Sequence, residues 1–156
     1  MIMKEKKIDK NIKMRMIDSV YYIWVGGSCD YAHDERAGAA AYIIEKANTE
    51  VDHYVIADFH TTEFRMMLHV MIHALNVLPV KSDIVFLTNV AYLQNFDKMP
   101  TETSANSDLI LQCIDLKERH ASCKVKTVPY HKYIQLQQTH DTAHREMIKL
   151  RTNINK

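Results

Sequence analysis

The chain has 156 residues, 47% of them apolar, with 20 basic and 19 acidic side chains and a formal net charge of +1. That is enough for one substantial core and gives no reason for a second full domain. The charge balance excludes the global field of a generic nucleic-acid or anionic-membrane binder, so any electrostatic recognition must be local.

Residues 1–18 read as a basic tail, in which Lys4, Lys6, Lys7, Lys10, Lys13 and Arg15 are opposed, as far as Arg15, only by Glu5 and Asp9. A solvated terminus is the plain reading and a basic arm the functional one. The segment lacks the apolar run of a signal peptide, and no window approaches the roughly 20 apolar residues that cross a bilayer. The expectation is a cytoplasmic protein with no membrane partner. Cys29, Cys113 and Cys123 are odd in number and lack close metal-ligand spacing, which predicts reduced, structural thiols.

Residues 20–25, aromatic and β-branched, predict a first strand that ends at a Gly26-Gly27 turn. A polar connection through Asp30 and Asp34 leads to a second strand over Gly38–Ile44. A turn at Ala47-Asn48-Thr49 precedes a third strand over Val51–Asp58. From Thr62 to Val77 the period becomes helical: Phe64, Leu68, Met71, Ile72 and Leu75 share one face, and Thr61 or Thr62 can cap the start. After Pro79, Asp83–Thr88 is short and apolar, as a buried strand should be. A short helix is expected over Val90–Phe96, then a polar loop over 100–106. Leu109, Ile110, Cys113, Ile114 and Leu116 form the stripe of a helix ending near His120. A fifth strand over Lys124–Val128 and a last helix over Asp141–Ile154 complete the domain, taken as residues 19–154. Three strands joined by short turns should form an antiparallel meander, and strands separated by helices should add in parallel. The expected fold is therefore α/β, with the order βββαβααβα and one mixed five-stranded sheet flanked by helices.

Four local motifs, in this order, resemble those of the ribonuclease H family. Val25-Gly26-Gly27-Ser28-Cys29 is similar to its first-strand Asp-Gly-Ser motif, with Gly26 in the aspartate position, and Gly38–Ile44 resembles its glycine-rich second strand. Arg65-Met66-Met67-Leu68, followed by Ala74-Leu75, resembles its Arg-Met-Glu-Leu helix, with Met67 in the glutamate position. Leu87-Thr88-Asn89-Val90-Ala91-Tyr92 is similar to its Thr-Asp-Ser-x-Tyr segment, with Asn89 replacing aspartate. Val128-Pro129-Tyr130-His131 and His140-Asp141-Thr142-Ala143 resemble its loop histidine and last aspartate, keeping His131 and Asp141. The likeness spans about residues 20–150, and the family's basic protrusion between the middle helices is missing.

What the resemblance implies is a ribonuclease H-like fold whose reaction is two-metal hydrolysis of the RNA strand of an RNA/DNA hybrid. Hard divalent ions need anionic oxygen ligands. Glycine supplies none, methionine a soft thioether and asparagine an uncharged carbonyl, so of the positions Gly26, Met67, Asn89 and Asp141 only the last keeps its charge. A catalytically inactive, degenerate member is expected, with no cofactor. Magnesium or manganese would enter only if other acids rebuilt the site, and the candidates are Glu63, one turn before Met67, with Asp30, Asp34 and Asp58. That alternative is a metal-dependent hybrid endonuclease using Glu63, Asp141 and a third acid.

The histidines have bland readings beside functional ones. His69 and His73 are expected to be a solvated pair. His140 and His144 share a face with Met147 and Ile148 and are expected to be hydrogen-bonded along the sheet or cleft. A transition-metal site at His131, His140, Asp141 and His144 is the other possibility. Tyr130, Lys132 and Tyr133, with Thr62, are candidate contacts for an RNA/DNA hybrid or single strand, although tyrosines also pack at loop–sheet junctions. The expected role is nucleic-acid binding or protein interaction, with self-association left open.

Overall fold

The computed structural model describes residues 15–101 and 103–153. Five strands form one mixed sheet: β1 (Val20–Cys29), β2 (Gly38–Lys46), β3 (Thr49–Asp58), β4 (Asp83–Thr88) and β5 (Ser122–Thr127), in the spatial order β3-β2-β1-β4-β5. The first three pair antiparallel, and β4 and β5 add in parallel beside β1. Among the described residues three α-helices flank the sheet: α1 (Glu63–Val77), α2 (Ser107–Lys117) and α3 (Ile134–Asn153). This is an α/β fold with the predicted succession of elements, except that the short helix after β4 is a 3-10 turn over Ala91–Asn95.

Strand alternation divides the core in two. Ile23, Val25, Tyr42, Ile84 and Phe86 meet α1 and α2, burying Met67, Leu68, Met71, Leu109 and Cys113. On the opposite face Trp24 and Leu87 pack with Leu136 of α3, and Ala39 and Ala41 of β2 pack with Ala143 and Met147 of the same helix. The alanines of β2 let α3 approach that face closely. Trp24 is fully buried, and its indole N–H is satisfied by the Glu45 carboxylate at 2.6 Å, as a buried indole requires.

Local chemistry sets the element ends. Ala47 and Asn48 both have positive φ, 51° and 63°, so the β2–β3 connection is a two-residue turn and Thr49 already belongs to β3. The Thr62 side chain accepts from the Arg65 amide at 3.1 Å and caps α1, which leaves Thr62 a structural role. Arg65 in turn donates to both carboxylate oxygens of Asp108, fastening α1 to the first turn of α2.

Two expectations about boundaries need correction. Gly26-Gly27 does not end the first strand, which continues to Cys29 with no glycine at positive φ. The last helix begins at Ile134, not Asp141, because Leu136 and Thr139 are buried against the sheet and make residues 134–140 part of its packed face. The tail's described end is also engaged: the Ile17 amide donates to the Tyr22 hydroxyl at 2.9 Å, while residues 1–14 lie outside the described residues. The three cysteines are free thiols, with Cys113 and Cys123 buried in the core. Among the described residues no helix is long and apolar enough to cross a membrane.

A buried carboxylate connects the β1–β2 loop to the end of the chain. Asp30, 9% exposed, accepts from Arg151 at 2.6 Å, His33 at 2.6 Å and the Ala32 amide at 3.0 Å. Arg151, with the Ala32 amide and His33, holds its carboxyl below the ordinary value of 3.8. The folded chain therefore binds fewer protons here than the unfolded chain. The stabilisation is complete above the ordinary value and is lost as pH falls through the lower folded one. Asp30→Asn is expected to lower the melting temperature at neutral pH and to flatten the acid limb of the stability curve. Thermal melts at several pH values test this; unchanged curves would deny Asp30 that role.

Candidate functional site

Pairing between β1 and β4 stops at Trp24 and Leu87, so the last residues of β1 run on with no strand on that side. The opening between them and Asn89, which follows β4, lies beyond the carboxyl ends of two parallel strands, the usual place for a ligand in a sheet of this kind. It forms a cleft of about 430 Å³, walled by the Gly26–Cys29 backbone, Glu63 from the first turn of α1, Asn89, Tyr130 and His140.

Of the four positions marked by the resemblance, Gly26 and Asn89 line this cleft, and Met67 and Asp141 do not. Gly26 does line the cleft, but a Cβ on it would lie 2.6 Å from Thr139 Oγ1 and 2.9 Å from the His140 backbone nitrogen. Helix α3 therefore occupies the space that a side chain at position 26 would need. Met67 is fully buried in the core, and its Cγ packs 3.1 Å from where a Cβ on Gly27 would stand. Asn89 is exposed on the rim. Asp141 is turned away: it lines a separate groove of about 420 Å³ between α3 and the β2–β3 face, with Arg145 and Tyr54. The cleft receives the preceding residue, His140, since one step along a helix rotates a side chain by about 100°.

The alternative acids are placed as follows. Glu63 reaches the cleft, its stem lying over Gly27. Burial raises its pKa above the ordinary glutamate value, with the nearby His140 acting in the opposite sense. Asp30 is committed to Arg151 and His33. Asp58 is exposed and accepts from the Phe59 amide at 2.8 Å, and Asp34 is exposed in the β1–β2 loop. Among the described residues no three His, Cys, Asp or Glu side chains converge as a metal-binding group.

His140 Nδ1 lies 3.0 Å from the Gly27 carbonyl, which can only accept, so this nitrogen carries a proton. His144 Nδ1 lies 3.2 Å from Ser28 Oγ, and the two rings stack 6.3 Å apart. Both therefore serve as hydrogen-bonded side chains along β1, as the sequence suggests. His131 is exposed beside Tyr130, and with Asp141 facing the other groove the four-residue transition-metal set is not assembled. Tyr130 stands edge-on to His140 at 5.9 Å within the cleft, Tyr133 packs against Trp24 at 5.3 Å, and Lys132 is exposed.

The pair expected to be solvated, His69 and His73, is half-buried at both positions. His73 stacks on Tyr54 at 3.7 Å and donates through Nδ1 to the Tyr42 hydroxyl at 3.0 Å, and that hydroxyl donates to Asp52 at 2.8 Å. Burial first, and then Asp52, push the Tyr42 phenol far above its ordinary value. His69 is half-buried, and its pKa is lowered by burial and by Arg65. Sequence reasoning missed this chain because its members come from β2, β3 and α1, whose register no local pattern discloses. It also missed Ser28 as the partner of His144. Comparison with family models and with curated proteins finds no match.

Proposed function

We propose that this chain is a ribonuclease H-like domain whose hydrolytic site has been dismantled and which works as a binding module. The mixed sheet with an antiparallel meander and parallel β4 and β5, together with the four motifs in order, supports the family reading. The observation that carries the loss of chemistry is the contact over Gly26, where Thr139 and the His140 backbone fill the place of a first-strand carboxylate. With Met67 sealed in the core and Asp141 outside the cleft, Glu63 is the one carboxylate among the described residues that lines it. One carboxylate does not offset a pair of divalent ions.

Protein interaction is the favoured form of binding, because among the described residues the cleft walls carry this acid and no lysine or arginine. The exposed Lys132 beside Tyr130 favours a second reading, a silent binder of hybrid or single-stranded nucleic acid. The purified chain is expected to leave an RNA/DNA hybrid intact in magnesium and in manganese. Cleavage lost in Glu63→Gln would restore the alternative of a rebuilt nuclease. Binding of the hybrid measured against salt separates the two modules: a binder that neutralises several phosphates loses affinity steeply as salt rises, whereas an interaction module shows no hybrid binding at all.

A further inference from the structure

We infer that the cleft at the end of β1 is a receptor for a single organic cation, a lysine or arginine side chain presented by a partner protein. This rests on the reading of the cleft as a binding pocket. Among the described residues its walls hold one acid, Glu63, and no basic side chain other than the imidazole of His140. The Glu63 carboxylate has neither an ion-pair partner nor a hydrogen bond among the described residues. A half-buried carboxylate without a counter-ion is costly, and burial accordingly makes this one harder to ionise.

The remaining wall chemistry is also that of a donor's complement. His140 spends its Nδ1 proton on the Gly27 carbonyl, so in the neutral ring the other nitrogen is an acceptor. Asn89 and Tyr130 also line the cleft, and an amide oxygen and an aromatic ring are groups that attract ammonium and guanidinium. A phosphate would meet an uncompensated carboxylate here, and a pair of divalent ions would find one anionic ligand. One ammonium or guanidinium group matches the charge and brings the N–H donors that these acceptors lack. The cleft, at about 430 Å³, admits a whole side chain.

The test uses the full chain and end-blocked Gly-Arg-Gly and Gly-Lys-Gly peptides, followed through the amide resonances of Gly26, Gly27 and Asn89. A saturable shift at these amides is expected with both peptides and not with a citrulline peptide, which keeps the arginine shape without its charge. Glu63→Gln should weaken binding by about tenfold or more, in line with the loss of one charge-assisted hydrogen bond. Unaltered folding of that variant is read from the rest of its spectrum. Absence of a saturable shift, or equal affinity in Glu63→Gln, overturns the inference. Butylammonium binding as tightly as the peptides would overturn its protein side-chain source. The binding-module reading fails separately, through hybrid hydrolysis that depends on Glu63.

Discussion

Placing a glutamate at position 67 should cost the domain much of its stability instead of arming it. Met67 is fully buried within the cluster shared by β1, β2 and α1. Its neighbours in that cluster are apolar, so an ionised carboxylate there would be an uncompensated charge, for which a loss of about 3–5 kcal/mol is typical. Against a total stability on the order of 5–15 kcal/mol, that removes a large fraction. The variant should relieve the strain by staying protonated, which raises its folded pKa above the unfolded value near about 4.3. The folded state then binds more protons than the unfolded one, so stability is retained below the unfolded value and lost as pH rises through the folded one. Urea midpoints at acidic and neutral pH test this, with Met67→Gln separating charge from packing. A Met67→Glu protein as stable as the parent at neutral pH would mean that position 67 opens to the cleft after all.

The legible parts of this fold were those whose signal is local. The strand Asp83–Thr88 is a short apolar run between turn formers, and α1 announces itself by period and by a capping threonine, so both fall where the sequence places them. Gly26-Gly27 was misplaced because the same dipeptide serves a turn or a close approach, and only the positions of α1 and α3 decide between them. The start of α3 was hidden for a related reason. Residues 134–140 are rich in glutamine and carry few apolar side chains, yet Leu136 and Thr139 are enough to dock them on the sheet. The candidate site suffered most from this. Motif spacing singled out Asp141, but a helix that begins earlier turns His140 toward β1, and the difference of one residue exchanges a carboxylate for an imidazole. Glu63 was legible as a neighbour of the site because it lies one turn before Met67. That it would be the one acid in the cleft was not, since this depends on where the others go.

Placing an aspartate at position 26 should destabilise the chain without producing a nuclease. Even Gly26→Ala sets a methyl group 2.6 Å from Thr139 Oγ1 and 2.9 Å from the His140 nitrogen, closer than a real Cβ contact. Overpacking of this kind costs about 1–3 kcal/mol, and aspartate adds a carboxylate at a buried position. The Thr139 side chain is only part of the obstruction, because the His140 nitrogen is backbone and cannot rotate away. Thr139→Ala should therefore recover some of the loss in Gly26→Ala but not all of it, as a double-mutant cycle in urea would report. A Gly26→Asp protein that is as stable as the parent and cleaves the hybrid in magnesium would show α3 yielding readily, and the site would then be latent. On the proposed reading, the expected result places the loss of chemistry in the docking of a helix: the space over position 26 is closed by backbone as well as by a side chain, so returning the acids one at a time would not reopen it.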